Sequence, residues 1–130
     1  MRWVVGIFFL MHGVGHSMGF LAAWTPINVG FSDEPWLLVG DEKVKGPIGR
    51  VWGVIWLVAL AGWVSVGISV LSGATGWETR AMSSAVVSLA AIVPWWRSVP
   101  GGAKAGVLVD IVVLVGLLTP WGQDFVDRLA

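Results

Sequence analysis

Four long apolar blocks dominate the chain, at about residues 3–24, 48–71, 76–96 and 103–121. Each can supply the roughly 20 residues that a membrane-spanning helix needs, the third and fourth being the leanest. The links between blocks two, three and four are short, so consecutive helices are expected to pack antiparallel. The pattern predicts an all-α, integral membrane four-helix bundle formed as one domain. An even number of spans puts both termini on one side.

Only one polar interval is long. Residues 25–47 hold three prolines, three glycines and six charged side chains. This segment is too short for a domain and reads as an extramembrane loop, with Trp36, Leu37 and Leu38 dipping into the interface. Trp24-Thr25-Pro26 marks the end of the first block and Thr119-Pro120-Trp121 the end of the fourth. Pro94, followed by Trp95, Trp96 and Arg97, loosens the third helix at one boundary. At its other end, Thr75 and Glu78 have capping-box spacing, and Arg80 is placed to snorkel.

Small residues recur at spacings of four: Gly15 and Gly19, Gly49 and Gly53, Ala61, Ser65, Ser69 and Gly73, and Ser84 and Ser88. In lipid such rows let helix backbones approach closely. They predict a tight bundle.

Composition strengthens the membrane reading. Hydrophobic residues make up 56% of the 130 and charged residues 12%, about half the charge density of a soluble domain. Mean hydropathy is +0.81. The ten tryptophans, with no tyrosine, suit helix ends at the headgroups. Eight basic and eight acidic residues cancel. No basic cluster exists, which argues against nucleic acid as a partner. Cysteine is absent, so disulfides, thiolate metal sites and dithiol redox chemistry are excluded.

Arg2 and the apolar run after it imitate a signal peptide, but no small-x-small cleavage site follows directly, and the segment reads as a retained span. Lys43, Lys45, Arg50, Arg97 and Lys104 outnumber Arg2, Arg80 and Arg128, a slight lean toward cytoplasmic loops one and three. The expected location is a cell membrane, multi-pass, of the prokaryotic inner-membrane kind.

The polar exceptions inside the apolar blocks carry the candidate chemistry. His12 and His16 are four apart and share a helix face. The fourth block contains one acid, Asp110. Counted at about 1.5 Å per residue from the end holding Trp3 and Trp121, His12 lies about 14 Å in, Asp110 about 17 Å and His16 about 20 Å. A buried acid needs a partner, so Asp110 is expected to hydrogen-bond His12 or His16. Trp52, Trp56 and Trp63 would add an aromatic wall able to stack on a flat head group.

Three readings of the cluster remain open. It locks the first and fourth helices together, lines a proton- or redox-linked ligand pocket, or holds a metal or haem. Two imidazoles and a carboxylate would suit zinc or iron. However, no glutamate stands between the histidines, and a haem would need Met18, Met82 or a second protomer as axial ligand. The ligand pocket is the reading carried forward, with His12, His16, Asp110, Trp52 and Trp56 lining it, no metal assigned and no catalytic group identified.

The stretch His12-Gly13-Val14-Gly15-His16-Ser17-Met18-Gly19-Phe20, preceded by Arg2 and an apolar run, resembles the first helix of the DoxX-like family of small four-helix membrane proteins. His12, Gly13 and Gly19 match that helix, and His16 stands where the family often has lysine. Gly116-Leu117-Leu118-Thr119-Pro120-Trp121 and the ending Asp127-Arg128-Leu129 are similar to the family's last helix and tail. Some relatives are subunits of thiosulfate:quinone oxidoreductases and others associate with oxidative-stress complexes. The resemblance therefore implies a quinone-like ligand at His12, His16 and Asp110, and a membrane redox partner or a homo-oligomer. The alternatives are a non-catalytic assembly subunit and an oligomeric transport component.

Overall fold

A computed structural model describes residues 1–27, 29–35 and 40–128. Trp36, Leu37 and Leu38 lie outside the described residues. The described chain is helical without strands: α1 (Arg2–Gly15), α2 (Ser17–Trp24), α3 (Pro47–Ser72), α4 (Trp77–Ile92), a 3-10 turn (Val93–Trp95), α5 (Gly101–Leu117) and α6 (Pro120–Asp127).

Four continuous helices were expected, and two of them are interrupted. The first breaks at His16, where the amide bonds the Gly13 carbonyl at 2.9 Å, a tighter 3-10 step between two glycine-flanked segments. The fourth ends at Leu117. Thr119 Oγ1 caps the Gly116 carbonyl at 2.8 Å, Pro120 starts α6, and the axis turns by 92°. Gly122 lies against the Gly116 carbonyl, where a Cβ would overlap it.

The long helix α3 has clear end signals. Pro47 occupies its first turn, where a missing N–H costs nothing. Gly73, at φ 69°, ends it in the left-handed region. Its amide bonds Val70 O and the Ala74 amide bonds Ser69 O, the pairing of a Schellman motif. The Thr75–Glu78 capping box does not form. Gly76 takes the N-cap position of α4 at φ 74°, which leaves Thr75 one residue outside, and no side chain caps that end.

Helices Arg2–Trp24, taken through its break, and Pro47–Ser72 are long and apolar enough to cross a bilayer, and the bent pair α5–α6 makes a third if counted as one segment. At 16 residues, α4 is shorter than a spanning helix requires.

The helices run up and down. At one end Ser32 N bonds Ser98 O at 2.9 Å and Ser98 Oγ donates to Glu34 O at 3.1 Å, joining the 25–46 loop to the turn before α5. On the same loop Asp33 accepts a hydrogen bond from Lys43 and holds its exposed ammonium above the usual lysine range. At the other end Arg2 lies against Gly73, and Phe9, Trp77 and Val126 share one core cluster.

The α1–α2 unit packs on α3, α3 on α4, and α4 on α5. The α1–α3 seam is tight. Gly6 and Gly67 face each other so closely that a Cβ on either would press on the other's carbonyl, and the Trp56 indole fills the space over Gly19. The core has two parts. One is built around Phe9, Trp63, Val66 and Trp77, the other around Trp56, Ile92, Trp95 and Val107. Outside, large apolar side chains face away from the protein: Val4 is 74% exposed, Val112 69% and Leu118 75%.

Candidate functional site

Four polar side chains meet where the two core clusters join. His12 reaches from α1, its ring edge-on to Trp63 with centroids 4.8 Å apart. His16 sits at the break between α1 and α2, its ring 5.6 Å from the Trp56 ring. Ser88 comes from α4 and Asp110 from α5, and both are fully buried.

The break explains the position of His16. Because its amide bonds Gly13 O, the His12 carbonyl is left to another donor. His16 Nδ1 takes that carbonyl at 3.0 Å. The ring thereby stands in for a backbone amide, and the contact aims Nε2 into the bundle, 2.6 Å from Ser88 Oγ.

Asp110 uses both oxygens. Ser88 Oγ lies 2.5 Å from Oδ2 and His12 Nε2 lies 3.0 Å from Oδ1. Hydrogen bonds that involve an ionised partner are worth about 1.5–3 kcal/mol each. A carboxyl shut away from water would be untenable without such partners. The expected contact between Asp110 and a histidine is therefore direct for His12 and runs through Ser88 for His16.

A groove of about 350 Å³ opens beside the cluster, between α1–α2 and α5. Its wall includes Phe8, Met11, His12, His16, Met18 and Trp56. Gly15 has no neighbouring atom within 4 Å of where a Cβ would stand, so it leaves the groove open instead of tightening a helix contact. Gly106 of α5 makes room for the His12 ring; a Cβ there would touch Cε1, at 3.4 Å. A larger crease of about 560 Å³ lies at the α5–α6 bend, but among the described residues no ionisable side chain lines it.

Of the five residues expected to line the pocket, His12, His16 and Trp56 do so, while Asp110 stands fully buried behind His12 and reaches the groove only through it. Trp52 does not line the groove. One helical turn along α3 carries it about 6 Å from the level of Trp56, where its Nε1 donates to the Ala90 carbonyl at 2.9 Å. Trp63 takes a place beside His12 instead. Ser88 is the member that sequence reasoning missed. It was visible only as half of a Ser84–Ser88 pair at close-packing spacing. Ser84 does pack, against Gly62 of α3, while Ser88 joins the polar cluster.

One ligating atom each from His12, His16 and Asp110 lies within 4.8 Å of the others, a spacing that would let them converge on a metal ion. Without one, these groups satisfy each other through Ser88. The chemistry plainly within reach is that of a carboxylate-oriented imidazole on the wall of an apolar groove: hydrogen bonding to a ligand, and proton exchange with it.

Comparison with known proteins gives no match: no family model fits the chain, and no curated protein or solved structure is significantly similar to it.

Proposed function

We propose that this is a multi-pass membrane protein, related to the DoxX-like family, that binds a small amphipathic ligand with a quinone-like head group in the groove beside His12 and Asp110, as part of a redox-linked membrane complex. The observation that carries the reading is the His12 imidazole, hydrogen-bonded to the buried Asp110, on the wall of a groove that is apolar apart from His12 and His16. Ligand sites combine apolar walls with a few placed polar groups, and about 300–1,000 Å³ is their usual volume. Trp56 and Phe8 supply flat surfaces beside those polar groups.

Membrane insertion draws its support from the inverted polarity of the fold. Asp110, Ser88 and Ser98 are fully buried, while valines, isoleucines and leucines of α1 and α5 face outward. In water that surface would aggregate; in lipid it is the ordinary exterior. Four antiparallel crossings follow if α4 with its 3-10 turn, and α5, each cross despite their short lengths.

Ligand extraction tests the proposal. The protein is purified in mild detergent, its absorption spectrum and metal content are recorded, and co-purified small molecules are identified by mass spectrometry. A compound of the benzoquinone or naphthoquinone type, recovered as quinol or as its oxidised quinone and lost on Gly15→Leu, is the expected result. Stoichiometric metal or haem with no organic ligand overturns it. The absence of native cysteine makes topology equally accessible. Asp41→Cys and Pro100→Cys should label with an impermeant reagent from one side of the membrane, and Arg2→Cys, Gly76→Cys and Arg128→Cys from the other.

A second reading, a non-catalytic assembly subunit, is favoured by one observation: the cluster satisfies itself, joining α1, α4 and α5 without an added group. It predicts a protein that purifies without ligand and loses a partner subunit when the cluster is broken.

A further inference from the structure

Proton accounting around Asp110 narrows the class of ligand, and it rests on the ligand-pocket reading above. A carbonyl oxygen only accepts, so the contact with the His12 carbonyl requires a proton on His16 Nδ1. Ser88 makes two contacts, at 2.6 Å to His16 Nε2 and 2.5 Å to Asp110 Oδ2. Heavy atoms this close need a proton between them in each case. Ser88 has one hydroxyl proton and fills only one of the two.

The second proton comes from one end or the other. Either His16 is protonated on both nitrogens and Asp110 is a carboxylate, or His16 Nε2 is bare and Asp110 Oδ2 carries the proton. The two arrangements hold the same protons and the same net charge. They interconvert by two hops, from Nε2 to the serine oxygen and from the serine to Oδ2.

The far end of the chain of contacts is His12. Its Nε2 lies 3.0 Å from Asp110 Oδ1. In both arrangements above any Asp110 proton sits on Oδ2, so Oδ1 only accepts, Nε2 carries the hydrogen and the neutral ring is bare at Nδ1. None of the described residues donates to Nδ1, and the ring forms part of the groove wall.

The geometry points to a proton relay, His16–Ser88–Asp110–His12, whose open end is a hydrogen-bond acceptor on the groove, so that the site takes the quinone-like head group in its reduced, hydroxyl-bearing quinol form in preference to the oxidised, carbonyl-only form or an ether. When a proton is transferred, the ligand O–H bond breaks and an N–H bond forms at His12 Nδ1. The Nε2 proton passes to the Asp110 carboxylate at Oδ1. The ligand becomes an oxyanion and the cluster gains one positive charge beside it, so charge balances across the groove wall. Ser88 touches no ligand. It is a positioning residue that holds Asp110 and links it to the second imidazole.

The test compares 4-decylphenol with its methyl ether, two amphiphiles that differ in a single hydroxyl proton, binding to the full chain in lipid nanodiscs. The phenol should bind about tenfold tighter, the worth of one well-placed hydrogen bond. Ser88→Ala should pull that ratio below about threefold without altering the helical circular dichroism, and Ser88→Cys, which keeps a weak donor, should restore part of it. Nitrogen-15 spectra of histidine-labelled, ligand-free protein supply a readout independent of any probe: His12 protonated at Nε2 and bare at Nδ1, His16 protonated at Nδ1. Equal affinity for phenol and ether overturns hydroxyl selection and leaves the ligand pocket standing. A His12 ring protonated at Nδ1 and bare at Nε2 overturns the relay. If neither probe binds, the pocket reading fails and takes this inference with it.

Discussion

Helix α1 has two seams of opposite construction. Toward α3 it presents Gly6, Gly13 and, past the break, Gly19, and the partner helix closes on all three with backbone or ring atoms. Toward α5 it presents His12 across an open groove, joined to the opposite helix by one hydrogen bond of 3.0 Å. The first seam spreads its energy over many small contacts, none of them chemically special. The second concentrates polarity in one place and leaves space around it. The close contacts of α1 thus lie toward α3, and its polar cluster and open space lie toward α5.

The heaviest damage is expected at the closed seam. Gly19→Leu drives a side chain into the Trp56 indole, and overpacking of this kind costs about 3 kcal/mol. Reversible unfolding in detergent micelles should show it, along with a shift in tryptophan emission. A variant as stable as the parent would mean that the two helices are not in contact.

At the open seam Asp110→Ala leaves the His12 N–H and the Ser88 hydroxyl without their acceptor in a buried site. An unsatisfied buried group costs about 1–3 kcal/mol. Asp110→Asn keeps a hydrogen-bonding group and should lose less, nearer the ~0.6 kcal/mol average for polar contacts within membranes. Identical stability and ligand content in both variants and the parent would remove Asp110 from any important role.

Gly15→Leu sharpens the contrast between seams, because it lies four residues from Gly19 and meets nothing. Stability should stay within about 1 kcal/mol of the parent, with the better helix former contributing in its favour. Ligand retention should fall, since the leucine occupies the groove. The smallest effect belongs to Trp63→Phe. Trp63 Nε1 is buried with no hydrogen-bond partner among the described residues. Removing that donor offsets much of the lost ring area, so the melting temperature should move by only a few degrees.

Parts of this layout were legible in the sequence for physical reasons. The apolar block at 48–71 lies within a residue of α3 at each end, and the Thr119-Pro120 pair marked the region where α5 stops. The contact of His12 with Asp110 was legible because a buried acid needs a partner, although the depth count behind it ran from Trp121, beyond the 92° bend, and a constant rise per residue applies to α5 only as far as Leu117. Ser88 was not legible, because a serine in an apolar helix reads the same whether it packs like Ser84 or bridges two titratable groups; the difference lies in which helix faces it. The α5–α6 bend was legible as an ending but not as a turn into α6, since Pro120 stops one helix and starts another equally well. Trp52 was misplaced because sharing a helix face with Trp56 does not mean sharing a depth.

The replacement of an amide by an imidazole at the α1–α2 break bears on how mutants of this site are to be read. His16 is at once a side chain of the cluster and a substitute strut of the main chain. His16→Ala removes a chemical group and also frees the His12 carbonyl, inviting the helix to straighten and carry α2 to a new heading. A loss of function there would report two events as one number. An isosteric ring that keeps the N–H at the δ position but lacks the nitrogen at ε, such as 2-pyrrolylalanine, separates them: it leaves the strut in place and withdraws only the chemistry.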